Sequence, residues 1–367
     1  MNVLIVGEFS AFAKNLALGI NSIPGNECVV FSYKDGFKDI AQDSRSYTYQ
    51  KPYNLKFLGI TLRGTNKITG RKLYKQFQKD ISNFKGYFDA VFIISYTLLR
   101  EESNHSVPLF SKSDILKVVK DPNKVFMSSC GGDRAFYQFA LNDRRFNTVY
   151  KDPNVIKPRY KLLESEALSI VKKVIPMSYQ YHEAYKLYAN QFELTKPIPL
   201  PFDSTTVQAK TQYCVNNKIV IFNGSLRPTK GSVFIDEAVK RIAEKYPDRV
   251  VIRKDRLPYQ KFLSFLKEID IYIDLCTDYD YGMSAIAAML AGCVVLSGNE
   301  PETGKAFGWD DIPVIPACPD ADQIFDAIED LILHPDKIEE IGRKSVEYAR
   351  LRHDCKSLAP IYMEAFK

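Results

Sequence analysis

The sequence predicts an α/β protein built from two doubly wound parallel sheets. Three observations carry this reading. Wholly apolar runs of strand length alternate with segments of helical periodicity along the chain, the pattern of parallel strands covered by helices on both faces. The chain has 367 residues, more than one core of ordinary size accommodates. A stiff, turn-prone PIPLPF segment at residues 197–202 interrupts the alternation, and residues 197–217 read as the linker between domains.

The first half opens with an apolar strand at residues 2–6, closed by Gly7, and a helix whose buried stripe is Phe12, Leu16, Ala17, Leu18 and Ile20. Between them Gly7-Glu8-Phe9-Ser10 lacks the three glycines of a dinucleotide fingerprint, which weakens the case for a nicotinamide-dependent dehydrogenase. Residues 28–31 form a second strand, about 71–84 a helix, 89–95 a third strand, 115–119 a short helix and 125–128 a fourth strand. That strand runs into Ser128-Ser129-Cys130-Gly131-Gly132-Asp133-Arg134. Small residues at a strand's C-terminal end suit either a ligand loop or a tight turn. Helices at 162–171 and 181–188 flank a strand at 173–177.

The second half repeats the rhythm: strand 218–223, helix 232–244, strand 250–252, a helix opened by Pro258, and strand 270–275. A small-residue helix at 282–291 stops at Gly292, as at a C′ glycine. Strand 293–296 and helices 321–333 and 336–350 follow, and residues 353–366, containing Pro360, read as a broken or restarted helix. Glu300-Pro301-Glu302-Thr303 either contacts a ligand or turns the chain, and His182 and His353 read as surface or packing residues.

Composition narrows the function. No run of about 20 apolar residues is present, and the opening MNVLIVGEFS has no basic leader. Seven cysteines without a C-x-x-C pair point to reduced thiols and a cytoplasmic setting, and four scattered histidines argue against structural zinc. Residues 1–204 hold 29 basic against 19 acidic side chains, while residues 205–367 hold 21 against 25. Residues 51–85 concentrate nine basic residues against Asp80 alone, interleaved with Tyr53, Phe57, Leu58, Ile60, Leu62, Tyr74, Phe77 and Phe84. Such a stretch suits anionic lipid headgroups at a peripheral membrane surface. It also suits nucleic acid, or a helix with one core face and one solvated face.

The most chemically specific stretch is residues 219–231, IVIFNGSLRPTKG. A buried strand breaks at Gly224 and Ser225, delivers Arg227 and Lys230, and enters a helix after Gly231. A helix N-terminus beside two cations is an anion site. The alternative is a solvated loop that happens to be basic.

Here the sequence resembles the GT-B glycosyltransferases, most nearly glycosyltransferase family 4, which are retaining enzymes that use nucleotide-sugar donors. Residues 224–231 (GSLRPTKG) look like the family's G-R-L-x-P-E-K-G loop, and residues 280–295 (DYGMSAIAAMLAGCVV) look like its E-G-F-G-x-x-x-x-E-A-M-A-x-G-x-P-V-V segment. Gly131-Gly132-Asp133-Arg134 is similar to G-S-D-x-R, and Leu200-Pro201-Phe202-Asp203 to I-P-N-G-V-D. The family lysine falls on Lys230 and its arginine on Ser225, with Arg227 two residues on; the ribose-binding glutamate falls on Ala287, and the histidine of the first domain on Cys130.

The resemblance implies a GT-B fold: an acceptor-binding Rossmann-like domain (1–203), a nucleotide-sugar-binding one (204–350) facing it across a cleft, and a C-terminal helix (351–367) returning to the first domain. It implies transfer of a sugar, with retention and without a metal or cofactor, to a lipid-linked or polysaccharide acceptor. Lys230 and Arg227 then stabilise the departing diphosphate. Gly7, Gly224, Ser225, Asp280, Gly282, Met283 and Ser284 surround the donor, Arg256 and Leu257 hold its base, and Glu8, Cys130 and Asp133 meet the acceptor. Asp278-Tyr279-Asp280 has the spacing of a manganese motif but reads as a loop acid or helix cap. Two other classes stay open: a GT-B-shaped sensor or partner subunit without catalysis, which Ala287 favours, and a nucleotide-sugar epimerase, whose carboxylate and histidine clusters are not evident.

Overall fold

The computed structural model describes residues 1–34, 38–40, 45–99, 110–143 and 158–367. In the first half the strands are β1 (Asn2–Val6), β2 (Glu27–Tyr33), β3 (Ser46–Tyr49), β4 (Lys56–Phe57), β5 (Ile60–Thr61), β6 (Ala90–Ile93), β7 (Val125–Ser129), β8 (Lys173–Pro176) and β9 (Glu193–Leu194). The helices are α1 (Phe12–Asn21), α2 (Asn66–Ser82), α3 (Lys112–Val118), α4 (Arg134–Asn142), α5 (Pro158–Leu168) and α6 (Tyr179–Tyr185). Apart from the antiparallel pair β4–β5, the strands form one parallel sheet in the order β3-β2-β1-β6-β7-β8-β9. Alternate residues of β1 feed opposite faces: Leu4 and Val6 join Phe31, Phe77 and Met127, while Val3 and Ile5 join Phe12, Phe92 and Phe126.

The second half comprises β10 (Ile219–Asn223), α7 (Ser232–Lys245), β11 (Val250–Arg253), α8 (Tyr259–Phe265), β12 (Ile271–Ile273), α9 (Met283–Leu290), β13 (Val294–Ser297), α10 (Pro301–Phe307), β14 (Val314–Pro316), α11 (Ala321–Leu333), α12 (Asp336–His353) and α13 (Cys355–Ala365). Its parallel sheet has the order β11-β10-β12-β13-β14. Strand order reverses next to β1 in the first sheet and next to β10 in the second, so each has a switch point where the C-terminal ends of neighbouring strands open a crevice.

Several boundaries differ from the sequence expectation. Helix α2 begins at Asn66, five residues before the expected start, because Thr65, Asn66 and Thr69 anchor it to residues 53–55. Residues 134–142, which follow the loop expected at 128–134, and 301–307, which overlap the ligand contact or turn expected at 300–303, are helical: Asp133 caps α4 by accepting from the Phe136 N–H, and α10 has Pro301 in its first turn and left-handed Gly308 after its last. The break expected near Pro360 lies at Asp354, whose carboxylate caps α13 through the Lys356 and Ser357 N–H groups; α13 continues through the solvent-facing Pro360.

The chain crosses between the two sheets twice, and the crossings lie side by side. Phe202 pairs with Asp354 in a parallel bridge: its N–H donates to the His353 carbonyl at 2.7 Å, and its carbonyl accepts from the Cys355 N–H at 2.9 Å. Ser204 Oγ donates to Asp354 at 2.6 Å. His353 is buried; its Nδ1–H donates to the Leu200 carbonyl at 2.9 Å, and its Nε2 accepts from the Tyr281 hydroxyl at 2.9 Å. Burial pushes this imidazole down to about 4, so it is neutral near pH 7. Beyond the bridge α13 lies on α1, with Tyr362 and Phe366 packed against Phe12, Phe92 and Phe126.

Gly19 makes that helix contact possible. A Cβ there would stand 2.2 Å from the Cys355 carbonyl oxygen and 3.0 Å from the Ala359 Cβ. Gly19→Ala therefore destabilises the protein despite alanine's better helix propensity, a gain of at most about 1 kcal/mol set against about 1–3 kcal/mol of overpacking. A lower midpoint in denaturant melts checks this; an unchanged or raised midpoint refutes the close contact.

Candidate functional site

The expected donor residues sit on loops at the C-terminal edge of the second sheet. The loop after β10 is drawn tightly onto the neighbouring strand. A Cβ at Gly224 would come within 2.6 Å of the Tyr272 hydroxyl, and one at Gly231, whose φ is +78°, within 2.2 Å of Cys276 Sγ. Straps hold it there: Cys276 N–H donates to the Lys230 carbonyl at 3.1 Å, Thr277 Oγ1 to the Thr229 carbonyl at 2.8 Å, and Ser225 Oγ to the Lys230 carbonyl at 3.3 Å. Ser225 is fully buried, so it builds the loop, while Arg227 is exposed; its carbonyl accepts from the Lys230 N–H at 2.9 Å, and its side chain makes no hydrogen bond or ion pair among the described residues.

Lys230 points into the switch point between β10 and β12. Its ammonium lies 2.5 Å from Oδ1 of Asp274, a fully buried carboxylate just beyond β12. Ser284 Oγ donates to the same oxygen at 2.9 Å. Asp274 Oδ2 has no hydrogen-bond partner among the described residues. Gly282, extended at φ −109°, precedes α9, and no side chain caps its first N–H groups. An ammonium, a hydroxyl and an uncapped helix N-terminus thus converge on one buried carboxylate. Asp278 stands nearby: burial pushes its carboxyl up to about 7, with Lys230 pulling it down and Asp280 and Asp274 pushing it up.

The sequence did not single out Asp274. It follows an apolar strand without a motif, and its signal is positional: a carboxylate at the C-terminal end of a strand flanking the switch point. Asp280 is in a different place from the one expected. It is buried, its Oδ2 accepts from the Gln180 N–H at 3.2 Å, and Gln180 Oε1 accepts from the Tyr279 N–H at 3.1 Å. The segment latches the second domain to α6 of the first, helped by contact of the Tyr179 and Tyr279 rings at 5.2 Å. Gly282, not an acid, occupies the cap of α9.

Across the cleft, Gly7 has φ +93°, and a Cβ there would meet Leu98 at 2.9 Å. Ser10 and Ala11 also adopt left-handed angles, +54° and +70°, so the first βα loop is a strained turn. Glu8 accepts from the Lys14 N–H at 3.0 Å. Tyr259, at the start of α8, meets this loop: the Lys14 ammonium lies 5.9 Å from its ring centre, and burial, with Glu8 and Asp203 nearby, raises its phenol. Arg256, exposed, and Leu257, half-buried, lie in the loop just before it.

Cys130 and Asp133 are fully buried and present no atom to the cleft surface. Cys130 Sγ donates to the Ile94 carbonyl at 3.1 Å. Asp133 caps α4 and accepts from the Tyr185 hydroxyl at 2.6 Å, within a cluster where Arg134 pairs with Glu164 at 2.7 Å. Burial outweighs these bonds and pushes Asp133 up to about 7. Ala287, at the family's glutamate position, is buried among apolar neighbours in the centre of α9.

Two parallel sheets face one another at their C-terminal edges, joined at a double crossing. Solved structures share this plan over the whole chain. Sucrose-phosphate synthase from Thermosynechococcus elongatus superposes with a TM-score of 0.65 at 12% identity, covering 100% of this chain and 98% of that one. The fold is GT-B. HepE from Anabaena, in complex with UDP and glucose, superposes at 0.59 and 12% identity, with 100% and 99% covered. An α-glucosyltransferase in complex with UDP-glucose and DNA containing an abasic site gives 0.62 at 12%, with 100% and 98% covered. No protein-family model matches the chain, and no curated protein sequence matches it. Among the described residues no helix of this GT-B chain is long and apolar enough to cross a membrane.

Two outcomes follow. Lys230→Met leaves Asp274 buried without its cation, at a cost on the order of 3 kcal/mol, and adding Asp274→Asn recovers most of that loss; urea melts of both variants measure it, and a double mutant no more stable than the single one would contradict the pairing. Asp133 has a folded pKa near 7, above its unfolded value. Its contribution is therefore fully present below about pH 4 and lost as pH rises through 7. Wild type should lose stability relative to Asp133→Asn between pH 4 and 7.5, and parallel profiles would remove the buried-acid assignment.

Proposed function

We propose that the chain is a retaining, metal-independent glycosyltransferase of hexosyltransferase type. It moves a sugar from a nucleoside-diphosphate sugar, such as the UDP-glucose bound by its structural neighbours, to a lipid-linked or polysaccharide acceptor. The observation that carries this is the convergence of Lys230, Ser284 and the uncapped start of α9 at the switch point of the second sheet, where open α/β sheets take their ligands. In this role 204–350 is the donor domain and 1–203 the acceptor domain.

The chemical demand is departure of a nucleoside diphosphate as negative charge accumulates on it. Preorganised donors aimed at that charge contribute about 3–4 kcal/mol each. Lys230 supplies one, held in place by Asp274, which acts as a positioning residue. Arg227, exposed and uncommitted, folds onto the diphosphate from the solvent side. The Met283 and Ser284 N–H groups complete the cradle, Gly282 admits close approach, and Gly224 seats the loop against Tyr272. Arg256 and Leu257 hold the base. Gly7 lets the first βα loop face the donor, and Glu8 in that loop is the acceptor-side carboxylate. Cys130 and Asp133 support that loop from behind.

One observation favours a second reading. Ala287 offers no carboxylate to a donor ribose, which fits a nucleotide-sugar sensor that does not turn over. Calorimetric titration with UDP and a panel of nucleotide sugars, with and without chelator, combined with an assay for sugar release or transfer, separates the two. The transferase reading predicts chelator-insensitive binding and turnover, with kcat about 10²–10³-fold lower in the folded Lys230→Met/Asp274→Asn variant and a smaller loss in Arg227→Ala. Binding without turnover supports the sensor, and absence of binding refutes both.

A further inference from the structure

The β4–β5 hairpin is the most solvent-exposed apolar element of the described chain. Phe57 and Ile60 face each other across the two strands, 66% and 67% exposed, and Leu58 at the tip is 86% exposed. Leu62 and Ile68 continue the apolar surface. Phe57, Leu58 and Ile60 are contiguous on the hairpin, unlike the scattered apolar side chains of an ordinary surface. Exposed Lys51, Lys56, Arg63, Lys67 and Arg71 flank them along the chain, and no acidic residue lies between positions 51 and 79.

The turn itself is costly in water. Leu58 and Gly59 both have positive φ, +47° and +81°, the signature of a two-residue hairpin turn that asparagine-glycine forms most readily. Leucine in the left-handed region carries backbone strain, and its side chain is bare. The hairpin is nonetheless held firmly at its base. Thr69 Oγ1 accepts from the Tyr53 N–H at 3.1 Å and donates to the Tyr53 carbonyl at 2.7 Å, Thr65 Oγ1 accepts from the Leu55 N–H at 2.7 Å, and Asn54 accepts from the Asn66 N–H at 3.1 Å. A rigid stalk thus presents three apolar side chains beyond a basic collar.

We propose that this hairpin is a lipid-inserting finger that docks the first domain on an anionic bilayer. The apolar tip enters the boundary between headgroups and acyl chains while the lysines and arginines stay at the level of the phosphates. Nucleic acid would use the collar but has no place for Leu58 and Ile60. The finger follows the C-terminal end of β3 and is fastened to the start of α2, on the edge of the sheet that also carries the Gly7 loop. It thereby brings the acceptor side of the cleft to the surface from which a lipid-linked acceptor would come. Docking does not depend on the transferase assignment.

Cosedimentation of the full chain with phosphatidylcholine vesicles, with and without phosphatidylglycerol, tests the finger. Binding is expected on the anionic vesicles only and weakens with salt. Leu58→Asn replaces a strained, bare leucine with the residue the turn prefers, so its thermal midpoint stays equal or rises while vesicle binding drops about tenfold. UDP binding by this variant, measured in parallel, reports on the donor site independently. The proposal falls if wild type ignores anionic vesicles or if folded Leu58→Asn binds them as tightly as wild type. Binding to duplex DNA that survives Leu58→Asn, without vesicle binding, assigns the collar to nucleic acid instead.

Discussion

The two-stranded crossing at Phe202 and Asp354 is the constraint on which the arrangement of this protein depends. Each sheet completes its own hydrogen bonding, and beyond this crossing the two halves also meet through the Gln180 latch, the packing of α13 on α1 and a shared apolar core. Because both passages of the chain are adjacent and bonded to each other, they form a single axis. Neutral His353, bonded to Leu200 on one side and Tyr281 on the other, stiffens the axis without placing a charge in it.

The electrostatics of the cleft follow from where burial is complete. Lys230 and Asp274 neutralise one another at the bottom of the second sheet's switch point, so the folded chain is not left with an isolated buried charge there. Arg227, like Arg256, remains at the surface. This division suits a site that must be stable when empty and attractive to a dianion when open. On the other side, Asp133 is kept close to neutrality by burial, and the Tyr185 hydroxyl and the helix cap fix its orientation.

The sequence made the scaffold legible where local physics decides it. Apolar runs such as residues 2–6 and 219–223 have one stable use, a central parallel strand, and Gly292 ends α9 as a left-handed glycine at φ +84°. Lys230 was singled out because a lysine between a strand and a glycine-started helix reads as an anion site, with a solvated basic loop as the alternative. Asp274 was not, since its meaning comes from Lys230, 44 residues earlier. Asp280, Cys130 and Asp133 show the opposite problem. They lie in or beside segments that resemble family motifs, but the depth of a side chain depends on packing from elements far away in sequence: α6 covers Asp280, and Tyr185 reaches Asp133. Helix α10 was hidden for a simpler reason: only Pro301 and Gly308 mark its ends, over seven residues with little apolar periodicity.

Helix α13 lies against α1 and supplies Tyr362 and Phe366 to the core of the first sheet. On the ribosome, the strands and helices of that sheet emerge long before residues 355–366 do. Until then the face of α1 around Gly19 and the rings of Phe12 and Phe92 lack their cover. Translation therefore delivers a nearly complete sheet with an open apolar seam, and the whole second domain must be made before the seam closes. The nascent chain carries this exposed patch through more than half of its synthesis, an interval in which a chaperone has something to hold.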